Sequence, residues 1–487
     1  MSAKSLRSLL DGIATLEGGD IGVSGLTLDS RQLRAGDAFI ALRGAVTHGI
    51  TFAPAVLAQG ASVVLAEAPA PAVSAGEKIV WIDGLREQVG EIAARFFDRP
   101  SAALHVIGVT GTNGKTSIVQ LLAAALETLG ARAATIGTLG AGRVGAIESG
   151  ERTTPDAISV QALLARFRAE GASHVTMEVS SHALEQSRVN AIDFEVAVFT
   201  NLTRDHLDYH DTMDNYGAAK ARLFAWASLR SAVVNVDDAF GRELAAQLPP
   251  RVQLLRYAID AQADVRASNV LTSGGGLRFT LATPWGAGEI ASPLLGRFNV
   301  YNLLAVAGCL GALGYTFAQI QNALAQLQPV AGRMNRLGGG TAPLVVVDYA
   351  HTPDALEQAL TSLRAHAGGR LICVFGCGGE RDNGKRPQMG AIAERLADEI
   401  YVTDDNPRGE NGDAIVAQIL AGLSHAQRAH VQRDRAAAIA QALRDARGGD
   451  VVLIAGKGHE PYQEIAGVKH PFDDLVVARQ VLEARAC

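Results

Sequence analysis

Eight residues from Thr110 to Ser117, Thr-Gly-Thr-Asn-Gly-Lys-Thr-Ser, combine glycine, lysine and hydroxyl side chains as phosphate-binding loops do. The apolar stretch before them, Leu104 to Val109, predicts a strand, and helical spacing follows at Ile118, Leu122, Leu126 and Leu129. Glycines let backbone N–H groups point at an anion, and a helix N-terminus favours negative charge. We expect ATP to bind through Gly111, Thr112, Asn113, Gly114, Lys115, Thr116 and Ser117. Lys115 would reach the terminal phosphates and Thr116 would bind Mg²⁺.

This loop departs from the general G-x-x-x-x-G-K-[ST] pattern at its first position. The leading glycine of that pattern falls at Val109, and Gly108 lies one residue earlier. A glycine turn without a ligand is the alternative interpretation. ATP binding by itself also leaves the reaction open, because such a loop suits a kinase, a GTPase or a mechanical ATPase.

Three polar motifs each follow an apolar stretch near the end of the chain: Gly378 to Asp382, Asp405 to Arg408, and Gly456 to Glu460. The carboxyl ends of parallel strands share one sheet edge, where ligands bind. A guanidinium group binds a carboxylate through a two-pronged fork, and carboxylate and amide oxygens could hold ammonium groups. These motifs therefore predict an amino-acid site, the alternative being a turn with solvated arginines.

Two residues with metal-binding side chains also follow predicted strands. Glu178 comes after Val175 to Met177, and His206 comes after Phe194 to Phe199. A carboxylate and an imidazole there could hold Mg²⁺, although histidine is unusual for so hard a cation. Spacing alone favours a surface histidine at position 206 and a solvated helix lysine at Lys220.

The elements that must position these residues fall into three blocks, 1–98, 99–330 and 331–487. Breaks lie at Asp98-Arg99-Pro100-Ser101 and near Gln328 to Gly332, where proline and glycine interrupt the pattern. In the last block apolar strands alternate with helical stretches, which indicates an α/β fold with a parallel, doubly wound sheet. The predicted strands of this block are Leu344 to Val347, Leu371 to Phe375, Glu399 to Thr403 and Val451 to Ala455. In the first block, Val63 to Leu65 is a predicted strand.

The chain has 487 residues, too many for one hydrophobic core, so about three domains are expected. Its 44 basic and 50 acidic residues give a net charge of −6, and the absence of a basic tract argues against nucleic-acid binding. Four cysteines without a metal or disulfide pattern and the lack of a secretory signal predict a cytoplasmic protein. Leu303 to Tyr315 is too short to span a membrane and is expected to form a buried helix.

Five segments together resemble the Mur ligases, and the resemblance extends over nearly the whole chain. They are Thr110 to Ser117, Met177 to His182, Asn201 to His210, Gly332 to Met334, and Asp348 to Pro353. The resemblance implies a small α/β domain for a uridine nucleotide, a central P-loop ATPase-like domain and a C-terminal Rossmann-like domain. It also implies an ATP-dependent amide-bond ligase of peptidoglycan precursor synthesis. Such an enzyme adds meso-2,6-diaminopimelate to the D-Glu carboxylate of UDP-MurNAc-L-Ala-D-Glu through an acyl phosphate.

The same resemblance implies roles for individual residues. Catalytic residues would be Lys115, Glu178, His206 and Lys220. Metal ligands would be Thr116, Glu178, His206 and Lys220, the last as N6-carboxylysine. Further ATP contacts would be Asn299, Asn302, Arg333 and Asp348. The UDP-linked precursor would contact Leu28, Ser30, Val46, Thr47, His48, Arg152, Thr153, Thr154, Ser180, Gln186 and Arg188. The incoming amino acid would contact Arg381, Asp405, Asn406, Pro407, Arg408, Gly456 and Glu460.

Other functions remain open at this point: a ligase that adds lysine to the same precursor or glutamate to a folate, and a P-loop ATPase that is not a ligase. A lysine substrate would leave Arg408 without its anion, and sites built around a polar partner can reject analogues that lack it by about 10⁴-fold. We expect small-molecule substrates, no membrane insertion and a monomer.

Overall fold

The computed structural model describes residues 3–16, 18–44, 47–70, 78–150, 152–273 and 276–486. The chain forms two compact units that do not follow sequence order. The first unit comprises residues 1–110, 130–197 and 219–230, and the second comprises residues 111–129, 198–218 and 231–487. Residues 111–117 of the predicted phosphate-binding loop, called the nucleotide loop below, therefore belong to the same unit as the C-terminal segment.

The described part of the N-terminal segment contains the strands β1 Lys4–Ser5, β2 Gly22–Val23, β3 Gly25–Thr27, β4 Asp37–Ala41, β5 Val63–Glu67 and β6 Ile79–Ile82. The last four strands form a parallel sheet in the order β3-β4-β5-β6. Its helices are α1 Leu6–Leu9, α2 Ala53–Ala58 and α3 Leu85–Phe96. Helix α3 buries Leu85, Val89, Ile92 and Phe96, whose spacing places them on one face. The predicted strand at Val63 is confirmed.

The middle of the chain contains eleven strands and eight helices within its described residues. The strands are β7 His105–Thr110, β8 Ala133–Gly137, β9 Gly140–Arg143, β10 Ala146–Glu148, β11 His174–Glu178, β12 Phe194–Phe199, β13 Ser231–Asn235, β14 Gln253–Ala258, β15 Val265–Ser273, β16 Gly276–Thr283 and β17 Gly286–Ser292. The helices are α4 Lys115–Thr128, α5 Ala157–Ala169, α6 Ser181–Glu185, α7 Leu207–His210, α8 Met213–Ala221, α9 Ala239–Ala246, α10 Arg297–Ala312 and α11 Phe317–Gln326.

These strands are divided between the two units. In the first unit the order is β10-β9-β8-β11-β7, and β8, β11 and β7 run parallel. In the second unit β13, β14 and β15 run parallel, and β15, β16 and β17 form an antiparallel meander. The parallel strands β7 and β11 are almost completely buried because both faces of such a sheet are covered. The predicted buried helix is α10, which packs against α4.

The C-terminal segment forms a six-stranded sheet in the order β18-β19-β23-β20-β21-β22, parallel except at β18. Its strands are β18 Asn335–Gly338, β19 Leu344–Asp348, β20 Leu371–Phe375, β21 Glu399–Val402, β22 His430–Val431 and β23 Val451–Ala455. A separate hairpin pairs β24 Tyr462–Ile465 with β25 Val468–Pro471. The helices are α12 Pro353–Arg364, α13 Lys385–Leu396, α14 Gly412–Leu420, α15 Arg435–Asp445 and α16 Asp474–Ala486.

Both faces of this last sheet are covered by apolar side chains. Val346, Cys373 and Leu453 belong to one buried cluster, whereas Val345 and Val452 belong to the other. This alternation confirms the predicted α/β fold with a parallel sheet. Among the described residues, no helix is both long and apolar enough to cross a membrane.

Candidate active site

The segment between β7 and α4 forms a tight loop at the start of the second unit. Gly111 has φ +143° and Gly114 has φ +88°, which favour glycine. A Cβ atom on Gly111 would lie 1.8 Å from Thr200 Oγ1. The Thr200 hydroxyl donates to Asn113 O at 2.6 Å, and the Asn201 carbonyl oxygen Oδ1 accepts from Asn113 N at 2.9 Å. The loop is thus held by the segment after β12, with its backbone at the N-terminus of α4.

Lys115 of this loop and the distant Arg333 both form hydrogen bonds within the protein. Lys115 Nζ donates to Gly111 O at 2.9 Å and to Thr112 O at 2.8 Å. Arg333 Nη2 donates to Thr116 Oγ1 at 3.0 Å, although the two residues lie 217 positions apart. An ammonium and a guanidinium group beside the N-terminus of a helix are a donor set that fits a polyphosphate.

A narrow cleft opens beside the first turns of α4, lined by Ser117, Leu121, Leu295, Asn299, Val330 and Arg333 among others. Asn299 Nδ2 donates to Leu295 O at 2.7 Å, and Asn302 Nδ2 donates to Asn299 Oδ1 at 2.8 Å. Asn302 Oδ1 would lie 3.0 Å from a Cβ on Gly114. The two asparagines predicted to contact ATP are therefore bonded to each other, and Asn302 lies close to Gly114 of the loop.

Residues after the sequence break at Gln328 reach the same loop. Arg333 stacks 4.4 Å above the Tyr349 ring, and Asp348 Oδ2 accepts from Met334 N at 2.8 Å. Burial raises the pKa of Asp348, although Arg333 opposes this. Thr352 caps α12 by accepting from Ala355 N, with Pro353 at the first helical position.

Three residues were not predicted to take part, namely Asp354, Asp205 and Lys385, whereas His351 lies in the predicted segment Asp348 to Pro353. Asp354 Oδ2 accepts from Asn113 Nδ2 at 2.9 Å. Burial alone would raise the pKa of Asp205, but the positive groups of His206, His351 and Lys385 outweigh it, and the pKa is lowered. Burial lowers the pKa of His351 to about 4, with Lys385 contributing. A lysine in the first turn of a helix opposes the helix dipole, which is the sequence signal that could have identified Lys385.

The predicted metal ligands belong to different units. Glu178, in the first unit, is buried, and its carboxylate accepts from Thr138 N at 2.7 Å and from Thr138 Oγ1 at 3.2 Å. A Cβ on Gly137 would lie 2.4 Å from Glu178 Oε1. His206, in the second unit, has φ +55° and places Nε2 3.4 Å from Asp205 Oδ2. Within the described residues, no three His, Cys, Asp or Glu side chains gather as a metal site.

Lys220 is only 1% exposed, so its interpretation as a solvated helix lysine is wrong. Helix spacing alone could not reveal this burial, because α8 contains few large apolar residues. Burial disfavours the charged amine, which is the condition that carbamylation of lysine requires.

Some of the residues predicted to contact the UDP-linked precursor lie together in the first unit. Thr154 Oγ1 accepts from Ser180 N at 3.1 Å and donates to the backbone oxygen of Glu178 at 2.8 Å. Arg188 Nη1 donates to Thr154 O at 3.1 Å, and Arg188 Nε donates to Gln186 Oε1 at 3.0 Å.

Two further residues of this predicted set lie in the first unit, and one of them, Arg152, borders a cleft. The Thr153 hydroxyl lies 3.1 Å from that of Thr138. Arg152 is exposed and lines the cleft together with Gly137, Glu148 and Leu163.

The N-terminal candidates have mostly local partners. Ser30 begins a short 3₁₀ turn capped by Asp29, and Leu28 packs against the core of the segment. His48 accepts from Ile50 N at 3.0 Å through Nδ1, and its Nε2 lies 2.9 Å from Glu67 O. Both ring nitrogens therefore have backbone partners. Thr47 is described and exposed, whereas Val46 lies outside the described residues.

The three C-terminal motifs meet at one edge of the sheet, as predicted. A Cβ on Gly379 would lie 2.0 Å from Pro407 O, and one on Gly456 would lie 2.3 Å from Asp405 Oδ2. Asn406 Nδ2 donates to Glu460 Oε2 at 2.8 Å. Side chains from the carboxyl ends of β20, β21 and β23 thus form a single polar surface.

Arg408 and Arg381 lie on this surface in different ways. Arg408, half-buried with φ +50°, donates from Nη1 to Gly379 O at 2.7 Å. Arg381 is exposed. The fully buried Arg386, not predicted to act here, donates to Glu410 Oε2 at 2.9 Å and to Gly378 O at 3.1 Å. Arg386 therefore links the loop containing Arg381 with the segment that follows Arg408.

Sequence comparison gives matches along most of the chain. Three Mur ligase descriptions match: "Mur ligase family, catalytic domain" at residues 22–97, "Mur ligase middle domain" at 109–310, and "Mur ligase, glutamate ligase domain" at 332–458. A protein of Xanthomonas campestris named UDP-N-acetylmuramoyl-L-alanyl-D-glutamate–2,6-diaminopimelate ligase is 59% identical over 487 residues, covering 99% of this chain and 98% of its own.

The chain belongs to the Mur ligase family.

Solved structures agree with this assignment. A structure described as UDP-N-acetylmuramoyl-L-alanyl-D-glutamate–2,6-diaminopimelate ligase superimposes with a TM-score of 0.73 and 38% identity, covering all of both chains. MurF ligase from Thermotoga maritima in complex with ADP has a TM-score of 0.66, with 94% of this chain and 98% of its own covered. At 19% identity the latter supports the fold alone. This Mur ligase therefore has the family's α/β architecture over its whole length.

Proposed function

We propose that this Mur ligase uses ATP to join meso-2,6-diaminopimelate to the D-Glu carboxylate of UDP-MurNAc-L-Ala-D-Glu. The observation that carries the proposal is the polar edge around Arg408, Asn406 and Glu460, which lies in the same unit as the nucleotide loop. The relative from Xanthomonas campestris, similar over its full length, carries the name of this activity and supports the choice of substrates.

The chemistry requires a carboxylate to become an acyl donor. ATP transfers its γ-phosphoryl group to the D-Glu carboxylate, and ADP leaves. An amine of the diamino acid then attacks the acyl carbon and loses a proton as the C–N bond forms. The acyl C–O bond breaks, and phosphate leaves with the former carboxylate oxygen. Most of the catalytic effect comes from positioning and from neutralising the phosphoryl group. Lys115 exchanges its contacts with Gly111 O and Thr112 O for phosphate oxygens, and Arg333 stabilises charge beside Thr116.

Magnesium would supply further charge neutralisation between phosphate and carboxylate oxygens. We propose Thr116, Glu178 and His206 as its ligands, with Lys220 joining them as N6-carboxylysine. The donor set of hydroxyl, carboxylate and imidazole fits a divalent cation, and Lys220 is buried, unlike a solvated helix lysine. Asn299, Asn302 and Asp348 would hold the adenosine part of ATP.

Arg408 and Arg381 supply the forks for the carboxylates of the incoming amino acid, and Glu460 and Asp405 supply negative charge for its ammonium groups. Asn406, Pro407 and Gly456 shape the floor between them. L-lysine has no second carboxylate, so the polar edge would lose part of its partners with that substrate.

The UDP-linked precursor is proposed to bind through the first unit. Thr154, Ser180, Gln186 and Arg188 form one hydrogen-bonded group there, while Thr153 contacts Thr138 and Arg152 lines a cleft. Leu28, Ser30, Thr47 and His48, together with Val46, are the proposed uridine contacts. We propose domains at 1–98, 99–330 and 331–487, a monomer, and action in the cytoplasm, where ATP is available.

The test is product formation from UDP-MurNAc-L-Ala-D-Glu labelled with ¹⁸O in its D-Glu carboxylate. With ATP, Mg²⁺ and meso-diaminopimelate, the product should be the UDP-linked tripeptide, and one ¹⁸O should appear in the released phosphate. Omitting the amino acid should suppress turnover. Phosphate release at full rate without any amino acid, and with no tripeptide formed, would instead identify an ATPase that is not a ligase.

A further inference from the structure

Lys457 is a fully buried cation within the amino-acid edge. Its side chain is 0% exposed, and Nζ donates to Asn406 Oδ1 at 3.0 Å and to Glu460 Oε2 at 3.0 Å. The ammonium also lies 5.5 Å from the centre of the Tyr462 ring. A charge so far from water is stable only when nearby groups replace its hydration. Here those groups are two residues proposed to bind the amino acid.

The hydrogen bonds of Asn406 fix the direction of its amide. Oδ1 accepts from Lys457 Nζ at 3.0 Å and from Glu464 N at 2.9 Å, while Nδ2 donates to Glu460 Oε2 at 2.8 Å. An amide has two acceptor lone pairs and two N–H donors, so both lone pairs are used and one N–H remains. Asn406 can therefore offer a ligand an N–H group, which matches a carboxylate and not an ammonium group. The sequence interpretation that Asn406 holds an ammonium is not favoured by this geometry.

The carboxylate of Glu460 is held through one of its two oxygens. The bonds from Lys457 and Asn406 both end on Oε2, so Oε1 takes part in neither bond. The Glu460 side chain is 18% exposed, whereas Asn406 is 2% exposed and Lys457 is enclosed. These bonds leave Oε1 of Glu460 and the second N–H of Asn406 as one acceptor and one donor for a ligand.

Glu460 is an acidic group of this cluster that a substrate ammonium can reach. Its side chain is 18% exposed and contacts Lys457 directly. The nearby Arg435 is already paired with Asp474, both 0% exposed.

We propose that Lys457 is a positioning residue for the incoming diamino acid, acting through Asn406 and Glu460. It directs the N–H of Asn406 toward a substrate carboxylate and the carboxylate of Glu460 toward the neighbouring ammonium. The proposal rests on the proposed function for the substrate class. Its consequence is stereochemical: the meso and LL isomers of diaminopimelate exchange these two groups at one carbon atom, so fixed donor and acceptor positions select one isomer.

The test replaces Lys457 with methionine, which keeps the chain length and removes the charge. We expect the KM for meso-diaminopimelate to rise by about 10- to 100-fold, as the loss of hydrogen bonds to charged groups predicts. The preference for the meso over the LL isomer should fall, while kcat and the KM for ATP change less than about twofold. Lys469→Met is the matched control, because Lys469 contacts the same Tyr462 ring at 4.4 Å from the exposed strand β25.

A double-mutant cycle with Glu460→Gln separates positioning from packing. Because Lys457 acts partly through Glu460, Lys457→Met should raise the KM for the amino acid by a smaller factor in the Glu460→Gln background than in the wild type. Independent multiplication of the two effects, or an unchanged KM and isomer preference in Lys457→Met, would overturn the proposal.

If thermal unfolding measurements show that Lys457→Met is not folded, Lys457→Gln replaces it in the same cycle. Failure of both variants to fold would show that Lys457 serves folding instead, and would also overturn the proposal. Failure of the proposed function looks different, since the wild-type protein would then form no tripeptide from diaminopimelate.

Discussion

Arg408 is one of the two arginines proposed to hold the carboxylates of the incoming amino acid, and it is the more enclosed of the two. Its guanidinium group donates to Gly379 O at 2.7 Å and lies 3.7 Å from Glu464 Oε2. These contacts hold the planar group in place before any substrate arrives. A lysine at this position would keep the charge and lose the fork.

The first prediction at this scale concerns Arg408→Lys. We expect the KM for meso-diaminopimelate to rise by about 10- to 100-fold, because a two-pronged, charge-assisted contact is replaced by a point charge. The KM for ATP should stay within about twofold of the wild type. Both constants are measured by phosphate release, with Arg428→Lys as the control for an exposed arginine. A wild-type KM for diaminopimelate in Arg408→Lys would remove Arg408 from the site.

The second prediction concerns the buried imidazole of His351, whose pKa burial lowers to about 4. Unfolded histidine titrates near 6.5, so between about pH 6.5 and 4 the unfolded chain binds a proton that the folded chain does not. The stabilisation is present above about pH 6.5 and is lost as the pH falls. We expect the free energy of unfolding to fall by about 2 kcal/mol more between pH 7 and 5 in the wild type than in His351→Gln.

Urea unfolding at the two pH values measures this difference. The exposed His425→Gln variant should behave as the wild type does. If wild type and His351→Gln lose the same stability on acidification, His351 is not the group that resists protonation.

Single residues show where sequence reasoning stops. The types at positions 178, 381 and 408 indicate carboxylate and guanidinium chemistry without any structure. Lys220 was interpreted as solvated because helix spacing gives no sign of what packs above it, yet it is buried. Lys457 stands inside a quoted motif, but its role depends on the orientation of the Asn406 amide, which no one-dimensional pattern contains.

At the scale of elements, the nucleotide loop depends on the absence of a side chain at Gly111. A Cβ there would lie 1.8 Å from Thr200 Oγ1 and 3.0 Å from Thr200 Cβ, and φ is +143°. We predict that Gly111→Ala weakens ATP binding by at least about tenfold, since strain of about 1–3 kcal/mol must be relieved by moving the loop. Isothermal titration with ATP and Mg²⁺ measures the affinity.

Gly130→Ala is the matched control for this variant. Gly130 ends α4 with φ +83° and has no neighbouring atom within 4 Å of the added Cβ. It should lose about 1 kcal/mol of stability and keep its affinity for ATP. Wild-type ATP affinity in Gly111→Ala would mean that the loop does not form the phosphate site.

Elements with strong apolar runs were predictable, and weakly patterned ones were not. The strands β20 and β23 begin and end where the sequence predicted, because each is apolar at every position. The hairpin of β24 and β25 was missed, since β25 is exposed along its length. That hairpin matters for the site, because Arg408 N donates to Glu464 O at 3.0 Å and Ala466 N donates to Arg408 O at 2.7 Å.

At the scale of the whole molecule, segments far apart in sequence meet at the proposed nucleotide site. Asn113 contacts Asp354 across 241 residues, and Thr116 contacts Arg333 across 217 residues. The alternation of strands and helices predicted the α/β fold and the shared edge of the C-terminal motifs. It could not predict that residues 111–129 belong to one unit with residues 231–487, because such association depends on tertiary packing between segments far apart in sequence.

The central claim is that the polar edge around Arg408 selects an amino acid with a second carboxylate. The most direct measurement is the ratio of kcat/KM for meso-diaminopimelate to that for L-lysine, with UDP-MurNAc-L-Ala-D-Glu, ATP and Mg²⁺ held at saturation. The ratio should reach about 10³ to 10⁴ in the wild type. It should fall sharply in Arg408→Lys. A ratio near one, or a preference for lysine, would contradict the assignment of this edge as the selective amino-acid site.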